Sequence, residues 1–364
     1  MGRRILPVIV ARGLRFIQVV AFALLNISDL PLWTQYFVNV GLKGRTLVVL
    51  ERWGGIGDLI CLLASVRGLR ARHPASWFVL ITPYGCAQLG LATRLCDAVT
   101  ETQTSFHRFI RKVCGSERYY VPLLPDERTP PRSRSRIHLA DEFAQVLGTS
   151  ADLESVALRT PARVRGRIIK RLHDVNPEGR PIIVVHSGPT WPVKEWPIER
   201  WSELMGKIAA NGSVIIRVGT DFDPAGRYVS QEPVPNTINW IGRLALLDLV
   251  ALLEQASIFV GVDSGPLHIA TALGVPSVGL FGPTDGRLHV HPRARAVIVS
   301  GTSSCLGCHY GVTGPGHWKT GCANDIVCMR EITVDQVLSA VFRVLNRTAT
   351  RARATVTASR LSVD

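Results

Sequence analysis

The stretch VGVDSGPLHIATALGVPSVGLFGPTDG, residues 260–286, decides the fold class. An apolar run ends at Asp263. Ser264 and Gly265 then turn the chain, and Pro266 suits the first turn of a helix. A second apolar run, SVGLF, follows the helical pattern. This succession of strand, turn, helix and strand predicts a βαβ unit, whose two strands lie parallel in one sheet.

The same alternation of short apolar runs and helical patterns extends over most of the chain. We predict strands over residues 46–50, 77–82, 181–188, 213–219, 257–263 and 276–282. We predict helices over residues 58–72, 137–147, 198–210, 246–255, 266–273 and 332–345. Two α/β domains in tandem are expected, with a ligand cleft between the carboxyl ends of their sheets. The predicted parts are an arm (1–42), a first domain (43–165), a second domain (166–347) and a basic tail (348–364).

Composition limits the class of protein. Of the 364 residues, 46% are hydrophobic and 19% are charged, which excludes disordered, collagen-like and coiled-coil proteins. No stretch approaches the ~20 consecutive apolar residues that a membrane span needs. The formal net charge of +14 favours an anionic partner, such as a phosphorylated ligand or an acidic membrane surface. Aromatic residues are not interleaved with these charges, so nucleic acid is not the expected partner.

The amino-terminal arm is apolar but is interrupted by Arg12, Arg15 and Asp29. Arg12, Arg15 and Gln18 have helical spacing, which fits a helix lying in a membrane interface with its arginines on lipid phosphates. A pair of helices packed into a core fits the same residues, and so does a signal peptide that begins with MGRR. These three interpretations of the arm stay open.

The turn after Asp263 predicts a phosphate-binding site. The free N–H groups and the positive dipole end of the following helix attract anions. The Ser264 hydroxyl and His268 lie within the first turn of that helix. An ordinary strand–turn–helix, in which Gly265 and Pro266 only shape the turn, explains the same residues.

Two other loops carry candidate reactive groups. In HSGPTWPVKEW, Ser187 and Gly188 follow a predicted strand, and Lys194 precedes a helix, where its ammonium could reach diphosphate oxygens. In WGGIGD, the glycines permit the close approach of a ligand, and Asp58 starts a helix as a candidate general base. The alternatives are that Asp58 caps its helix and that Lys194 is a solvated surface residue.

Four cysteines lie close together in the sequence near the carboxyl end. They are Cys305, Cys308, Cys322 and Cys328. Such a group holds a structural zinc ion in a reducing compartment or forms two disulfides in an oxidising one, and free thiols are the third interpretation.

The segments GGIGD, KEWP, DSGPLHIATALGVP and LFGPTD together resemble the motifs of glycosyltransferase family 9, the heptosyltransferases of lipopolysaccharide core synthesis. The resemblance runs in order from about Arg45 to Leu345. It implies a GT-B fold, in which two Rossmann-like domains face a cleft. It also implies inverting, metal-independent transfer of heptose or a related sugar from an ADP-sugar to a lipopolysaccharide core or other cell-surface glycan. The acceptor is then an anionic glycolipid on the cytoplasmic face of the inner membrane.

The resemblance implies roles for individual residues. Asp58 matches the base that deprotonates the acceptor hydroxyl, and Lys194 matches the lysine that binds the diphosphate. The implied donor-binding residues are Ser187, Gly188, Lys194, Asp263, Ser264, Gly265 and His268. Gly55 and Gly57 in the glycine-rich loop are expected to bind the acceptor. A basic loop is the expected place for the acceptor's phosphates or acidic sugars, with the candidates Arg128, Arg132, Arg134 and Arg136. The alternative is that this loop is only solvated.

The chain departs from the family where a Glu often bonds the ribose hydroxyls. Here the sequence is GTDFDPAG, and either Asp221 or Asp223 is expected to take that role. Asp221 and Asp223 also form a D-x-D motif, which binds a metal and a diphosphate in a different glycosyltransferase fold. Because the motif lies here in a βα series, metal binding by these two residues is not the expected role.

Three other functions compete with this one. A family 9 relative with a different nucleotide sugar or acceptor uses the same framework. A nucleotide-dependent oxidoreductase also fits tandem Rossmann domains, although Ile60 stands where the dinucleotide fingerprint needs its third glycine. A non-enzymatic protein that binds membranes or nucleic acid is suggested by the charge alone.

Overall fold

The computed structural model describes residues 29–51, 54–83, 85–113, 137–188, 191–221, 234–308, 316–317 and 321–361. The chain forms two compact units, of which the first comprises residues 1–53 and 69–123 and the second comprises residues 54–68 and 124–364. The domain limits given above from the sequence stay a prediction.

Strands and helices alternate along the chain, as an α/β protein requires. The strands are β1 (Leu47–Glu51), β2 (Trp77–Thr82), β3 (Ala98–Glu101), β4 (Ile182–His186), β5 (Val214–Arg217), β6 (Thr237–Asn239), β7 (Ile258–Val262), β8 (Ser277–Phe281), β9 (Ala296–Ser300), β10 (Gly316–His317) and β11 (Gly321–Cys322). The helices are α1 (Leu30–Tyr36), α2 (Ile56–Arg72), α3 (Ala87–Thr93), α4 (Ser105–Val113), α5 (Leu139–Val146), α6 (Ala162–Val175), α7 (Ile198–Ala209), α8 (Leu246–Leu253), α9 (Gly265–Ala272), α10 (Gly286–His289), α11 (Val327–Arg330) and α12 (Val334–Leu361). A π-helical turn covers Phe37–Leu42, and 3₁₀ turns cover Leu153–Val156 and Pro192–Lys194.

The first unit contains a parallel sheet with the strand order β1-β2-β3. Every residue of β1 and β2 is buried. Continuous burial is typical of strands in a parallel sheet that is covered on both faces, and it explains why these two strands read as apolar runs without alternation.

The end of the amino-terminal arm belongs to the core of this unit. Trp33 of α1 is only 2% exposed and packs edge-on against Phe106, with 5.3 Å between the ring centroids. Asp29 accepts hydrogen bonds from the Ser105 hydroxyl and the Phe106 N–H at the start of α4. The core-packing interpretation therefore holds for this part of the arm, while Arg12, Arg15 and Gln18 lie outside the described residues.

The second unit contains a six-stranded, fully parallel sheet with the order β6-β5-β4-β7-β8-β9. Numbered along the chain, this is the order 3-2-1-4-5-6 of a Rossmann fold, which confirms the α/β class. Apolar side chains of α7 and α12 pack on the sheet in one cluster. The members from those two helices are Trp201, Leu204, Met205, Ile208, Val334, Val337, Ala340, Val341 and Val344.

The predicted strands and helices are present, and the structure adds several that were not predicted. Strands β3, β6 and β9 and helices α3, α4 and α6 are additional. Helix α6 buries Val164, Ile168 and Leu172 at four-residue spacing. Helix α12 extends through most of the predicted tail, to Leu361. Among the helices that the structure describes, none is long and apolar enough to cross a membrane.

Candidate functional site

The second unit has a switch point between β4 and β7, where the strand order reverses. In open parallel sheets, ligands bind beyond the carboxyl ends of the strands at this point. The loop after β4 contains Ser187 and Gly188, and the loop after β7 contains Asp263, Ser264 and Gly265. The structure therefore brings the two predicted donor-binding loops to the same edge of one sheet.

Asp263 is the centre of a buried polar cluster at this edge. It is 3% exposed, and one carboxylate oxygen, Oδ2, accepts hydrogen bonds from Lys194 Nζ at 2.6 Å and from the Thr284 hydroxyl at 2.8 Å. Burial alone would raise the pKa of Asp263, but the charges of Lys194 and His289 and a hydrogen bond from His268 hold it well below its usual value. Asp263 is thus an anion at neutral pH, and it fixes the ammonium of Lys194 at the sheet edge.

Two histidines face the other oxygen of the same carboxylate. His268 Nε2 lies 3.6 Å and His289 Nδ1 lies 3.8 Å from Asp263 Oδ1. The three side chains carry metal-binding atom types within 4.8 Å of one another. The ammonium of Lys194 contacts the opposite oxygen of this carboxylate, Oδ2.

Ser264 stands at the amino end of α9 without capping it. Its hydroxyl donates to the Val262 carbonyl at 3.0 Å and lies 3.1 Å from His186 Nδ1. Burial lowers the pKa of His186 to about 4, so its ring is neutral at pH 7. Pro266 has no N–H, and the N–H groups of Leu267 and His268 donate to the Ser264 carbonyl, so it is the positive dipole end of α9 that attracts an anion.

The start of α2 packs against the start of α9, and both belong to the second unit. A Cβ on Gly265 would lie 2.9 Å from the Cβ of Ile56, and a Cβ on Gly57 would lie 2.6 Å from Cδ2 of His268. Neither glycine could carry a side chain without moving its neighbour. The backbone of each glycine therefore packs directly against a side chain of the other helix, and this contact brings the glycine-rich loop to the Asp263 cluster.

Asp58 lies at the first turn of α2, beside this contact. Its Oδ2 accepts a hydrogen bond from the Gly55 N–H at 3.0 Å, which is the geometry of a helix cap. Its charge also acts on His289, whose pKa burial lowers to about 4 while Asp263 and Asp58 oppose the shift. Asp58, Lys194, Asp263, His268 and His289 thus form one group, which we call the Asp263 cluster.

Of the remaining predicted site residues, some lie at the same sheet edge and others lie outside the described residues. Gly188 is next to Gly219, where a Cβ would lie 2.8 Å from the Gly188 carbonyl oxygen, so the loops after β4 and β5 also meet at this edge. Asp221 is exposed and lies against Gly242 in the loop after β6. Asp223 and the four arginines of the basic loop, Arg128, Arg132, Arg134 and Arg136, lie outside the described residues.

The predicted structural zinc site is not supported. All four cysteines have free thiols, and no three of their sulphur atoms lie within 4.8 Å of one another in the described structure. Burial raises the pKa of the Cys328 thiol to about 12. The segment has another structural consequence, because β11, which contains Cys322, contacts the 3₁₀ turn that carries Lys194.

Three residues of this site were not singled out from the sequence. Thr284 lies in the quoted LFGPTD motif and His186 in HSGPTW, so these motifs could have identified both residues. His289 follows a four-residue helix with no spacing pattern of its own, and only the fold shows its proximity to Asp263.

Comparisons with known proteins point to one family. The model of glycosyltransferase family 9 (heptosyltransferase) matches residues 123–318. The chain is 36% identical over 132 residues to lipopolysaccharide heptosyltransferase 1 of Pseudomonas aeruginosa, a match that covers 34% of this chain and 36% of that protein. The matched segment therefore spans about a third of the length of this curated relative.

Two solved structures show the same fold over most of the chain. A glycosyl transferase family 9 protein from Veillonella parvula has a TM-score of 0.65 at 19% identity, covering 83% of this chain and 98% of that one. The iron-containing dodecameric heptosyltransferase TibC, in complex with ADP-D-beta-D-heptose, has a TM-score of 0.60 at 17% identity, covering 84% of this chain and 77% of that one. These likenesses confirm the expected GT-B fold.

Proposed function

The chain belongs to glycosyltransferase family 9, and from that membership we propose that it transfers heptose, or a related sugar, from an ADP-sugar to a lipopolysaccharide core or another cell-surface glycan. The observation that carries the proposal is the Asp263 cluster. It combines a carboxylate at a glycine-rich helix start with a lysine held at the switch point of a Rossmann sheet.

The donor binds beyond the carboxyl edge of the six-stranded sheet. Its diphosphate lies at the amino end of α9, where the helix dipole attracts anions, with Ser187 and Gly188 in the facing loop. Lys194 has further N–H donors besides the one used on Asp263, and these reach the phosphate oxygens. Asp221, or Asp223, bonds the ribose hydroxyls. ADP-heptose is the proposed donor because TibC, a protein of the same fold, was solved with it.

The reaction is an in-line displacement that inverts the anomeric carbon. Asp58 removes the proton of the acceptor hydroxyl as that oxygen bonds to the anomeric carbon. The bond from this carbon to the β-phosphate oxygen breaks, and its electron pair leaves with ADP. The negative charge on the departing diphosphate is stabilised by Lys194 and the start of α9, with no catalytic metal.

The capping hydrogen bond of Asp58 is compatible with its role as a base. The Gly55 N–H bonds to Oδ2 and orients the carboxylate, and a carboxylate has about four acceptor positions, so this bond is compatible with a contact to the acceptor hydroxyl. Gly55 and Gly57 leave room for the acceptor sugar beside it. The proposed contribution of general base catalysis is about 10²–10⁴-fold in rate.

The acceptor is proposed to be an anionic glycolipid held at a membrane surface on the cytoplasmic side. The net charge of +14 supports this assignment, since anionic headgroups attract basic proteins. Arg128, Arg132, Arg134 and Arg136 are the proposed partners of the acceptor's phosphates or acidic sugars.

The test is transfer by the purified protein to a heptose-deficient lipopolysaccharide core. We expect turnover with ADP-heptose, none with GDP-, UDP- or dTDP-sugars, and the same rate in excess EDTA. NMR of the product should show the anomeric configuration opposite to that of the donor. Turnover with a different nucleotide would replace the donor assignment, retention would replace the single displacement, and a rate abolished by EDTA would contradict metal independence.

A further inference from the structure

The Asp263 cluster lacks positive charge for the ligand that it is proposed to bind. The ammonium of Lys194 lies 2.6 Å from the carboxylate of Asp263, which balances its charge. Asp58 adds a further negative charge to the same cluster. The carboxylates of Asp58 and Asp263 therefore face the single ammonium of Lys194 within this cluster.

Binding of a nucleoside diphosphate sugar would enlarge this imbalance. The diphosphate diester brings two negative charges next to Asp263 and Asp58. A helix amino end offers the equivalent of about half a positive charge. Like charges repel more strongly in a partly buried site than in water, because the effective dielectric constant there is lower. A second cation is therefore needed at the site.

His289 is in the right place to become that cation. It ends α10, it is 15% exposed on its side chain, and its Nδ1 lies 3.8 Å from Asp263 Oδ1. Its ring is 6.1 Å from that of His268, measured between centroids. The charged and titratable groups that face it are Asp58 from α2, His138 from the start of α5, Lys194 from the 3₁₀ turn, Asp263 from the end of β7, His268 from α9, and Asp285 and Arg287 from its own helix.

We propose that His289 is a further residue of the donor site, and that its imidazole takes up one proton from solvent when the diphosphate of the sugar nucleotide binds. The imidazolium then stabilises the bound diphosphate and the charge that develops on it as ADP leaves. This inference rests on the proposed function, because it assumes that a diphosphate occupies the start of α9.

The neutral state of His289 in the free protein makes such an uptake possible. Burial lowers its pKa to about 4, so the ring carries no proton to lose at pH 7. A dianion beside the ring favours the charged form and raises the pKa. By linkage, a group whose pKa rises on binding strengthens the complex as pH falls, by up to about tenfold per pH unit between the free and bound pKa values.

The test measures protons directly. ADP-heptose is titrated into the protein by calorimetry at pH 7 in phosphate and in Tris buffer, which differ in ionisation enthalpy. The probe is suitable because its diphosphate diester does not titrate between pH 6 and 8. We expect the difference in heat to correspond to about one proton taken up per ligand, and the dissociation constant to rise about tenfold per pH unit from pH 6 to 8.

Two variants and a control assign the proton. In His289→Asn, the uptake and the pH dependence should disappear, while His173→Asn, an exposed histidine on α6, should behave as the wild type. His289→Lys carries a permanent cation, so it should bind ADP-heptose at pH 8 with the affinity of the wild type at pH 6 and without proton uptake. A ring that was only structural would give no such rescue.

The possible outcomes distinguish a failure of the role of His289 from a failure of the proposed donor. Binding of ADP-heptose by the wild type without proton uptake, or full uptake by His289→Asn, overturns the role of His289 and leaves the donor site in place. No binding by the wild type overturns the proposed donor and this inference together.

Discussion

Single residues in this protein serve structure and chemistry at once. The sequence is compatible with two roles for Asp58, a helix cap and a general base. The structure shows that its carboxylate accepts a hydrogen bond from the Gly55 N–H. The two roles are compatible because a carboxylate has two oxygens and about four acceptor positions. Asp263 was predicted as a turn residue near phosphates, and in the structure its anion fixes Lys194.

The pair of Lys194 and Asp263 gives a prediction at this scale. Lys194→Met leaves Asp263 buried without its cation, and we expect the free energy of unfolding to fall by about 3 kcal/mol. The double variant Lys194→Met with Asp263→Asn removes both charges and should recover most of that loss. Urea unfolding of the wild type, Lys194→Met, Asp263→Asn and the double variant measures these changes.

Binding of ADP-heptose is the control for this prediction. The double variant should regain stability but not affinity, because the proposed site needs the cation itself. Additive losses in the double variant would show that the two side chains do not stabilise each other.

Motif residues could be predicted from the sequence because each follows a strand end and precedes a helix. Asp58, Lys194 and Asp263 all do so, and the parallel sheet then brings the last two to one edge. His289 could not be predicted, since its distance to Asp263 depends on how α10 follows β8 in three dimensions.

Among the elements, helix α1 shows how burial decides between interpretations of one apolar segment. The sequence of the arm fits a membrane surface, a signal peptide or a core. Its last part, from Asp29, packs into the first unit, where the Trp33 ring lies between Phe106 and Phe109 with centroid distances of 5.3 and 4.6 Å. An apolar pattern identifies a buried face but not the partner that buries it.

Truncation of this side chain tests the core assignment of α1. Trp33→Ala should lower the free energy of unfolding by about 3–5 kcal/mol, because it leaves a large cavity beneath the aromatic cluster. Leu42→Ala is the control, since Leu42 is 69% exposed and should change stability by less than about 0.5 kcal/mol. Equal and small effects of both substitutions in urea unfolding would contradict the packing of this segment.

Element length explains which strands could be predicted. The long, fully buried strands β2, β4 and β7 read as apolar runs. Strand β6 has three partly buried residues and β9 is largely half-buried at the sheet edge, so neither produces the continuous apolar signal. The fold class could therefore be predicted from the central strands, whereas the edge strands β6 and β9 could not be predicted.

At the scale of the whole molecule, buried neutral histidines make stability depend on pH. Burial lowers the pKa of His138 to about 3 and those of His186 and His289 to about 4, against an ordinary value of 6.5. The folded state therefore binds fewer protons than the unfolded state between pH 6.5 and 4, and stability falls as pH drops through that window. Asp263, with its lowered pKa, loses its contribution only at lower pH, below its ordinary value of 3.8.

We expect the free energy of unfolding to fall by about 4 kcal/mol from pH 7.5 to 5.5. His138→Asn should remove about a third of that change, because Asn keeps the cap on the Ala140 N–H but does not titrate. Urea unfolding at the two pH values measures both proteins. A stability that is independent of pH, or an unchanged slope in His138→Asn, would contradict this account of the histidines.

The central claim is that Asp58 acts as the base of a sugar transfer whose leaving diphosphate is bound by Lys194 and the start of α9. The most direct measurement compares Asp58→Asn with the wild type in heptose transfer and in ADP-heptose binding. Asn still accepts the Gly55 N–H, and Asp335→Asn at the exposed start of α12 is the matched control. The account predicts a kcat about 10²–10⁴-fold lower in Asp58→Asn alone, with the donor bound as tightly as before. Wild-type turnover by the folded Asp58→Asn protein would contradict it.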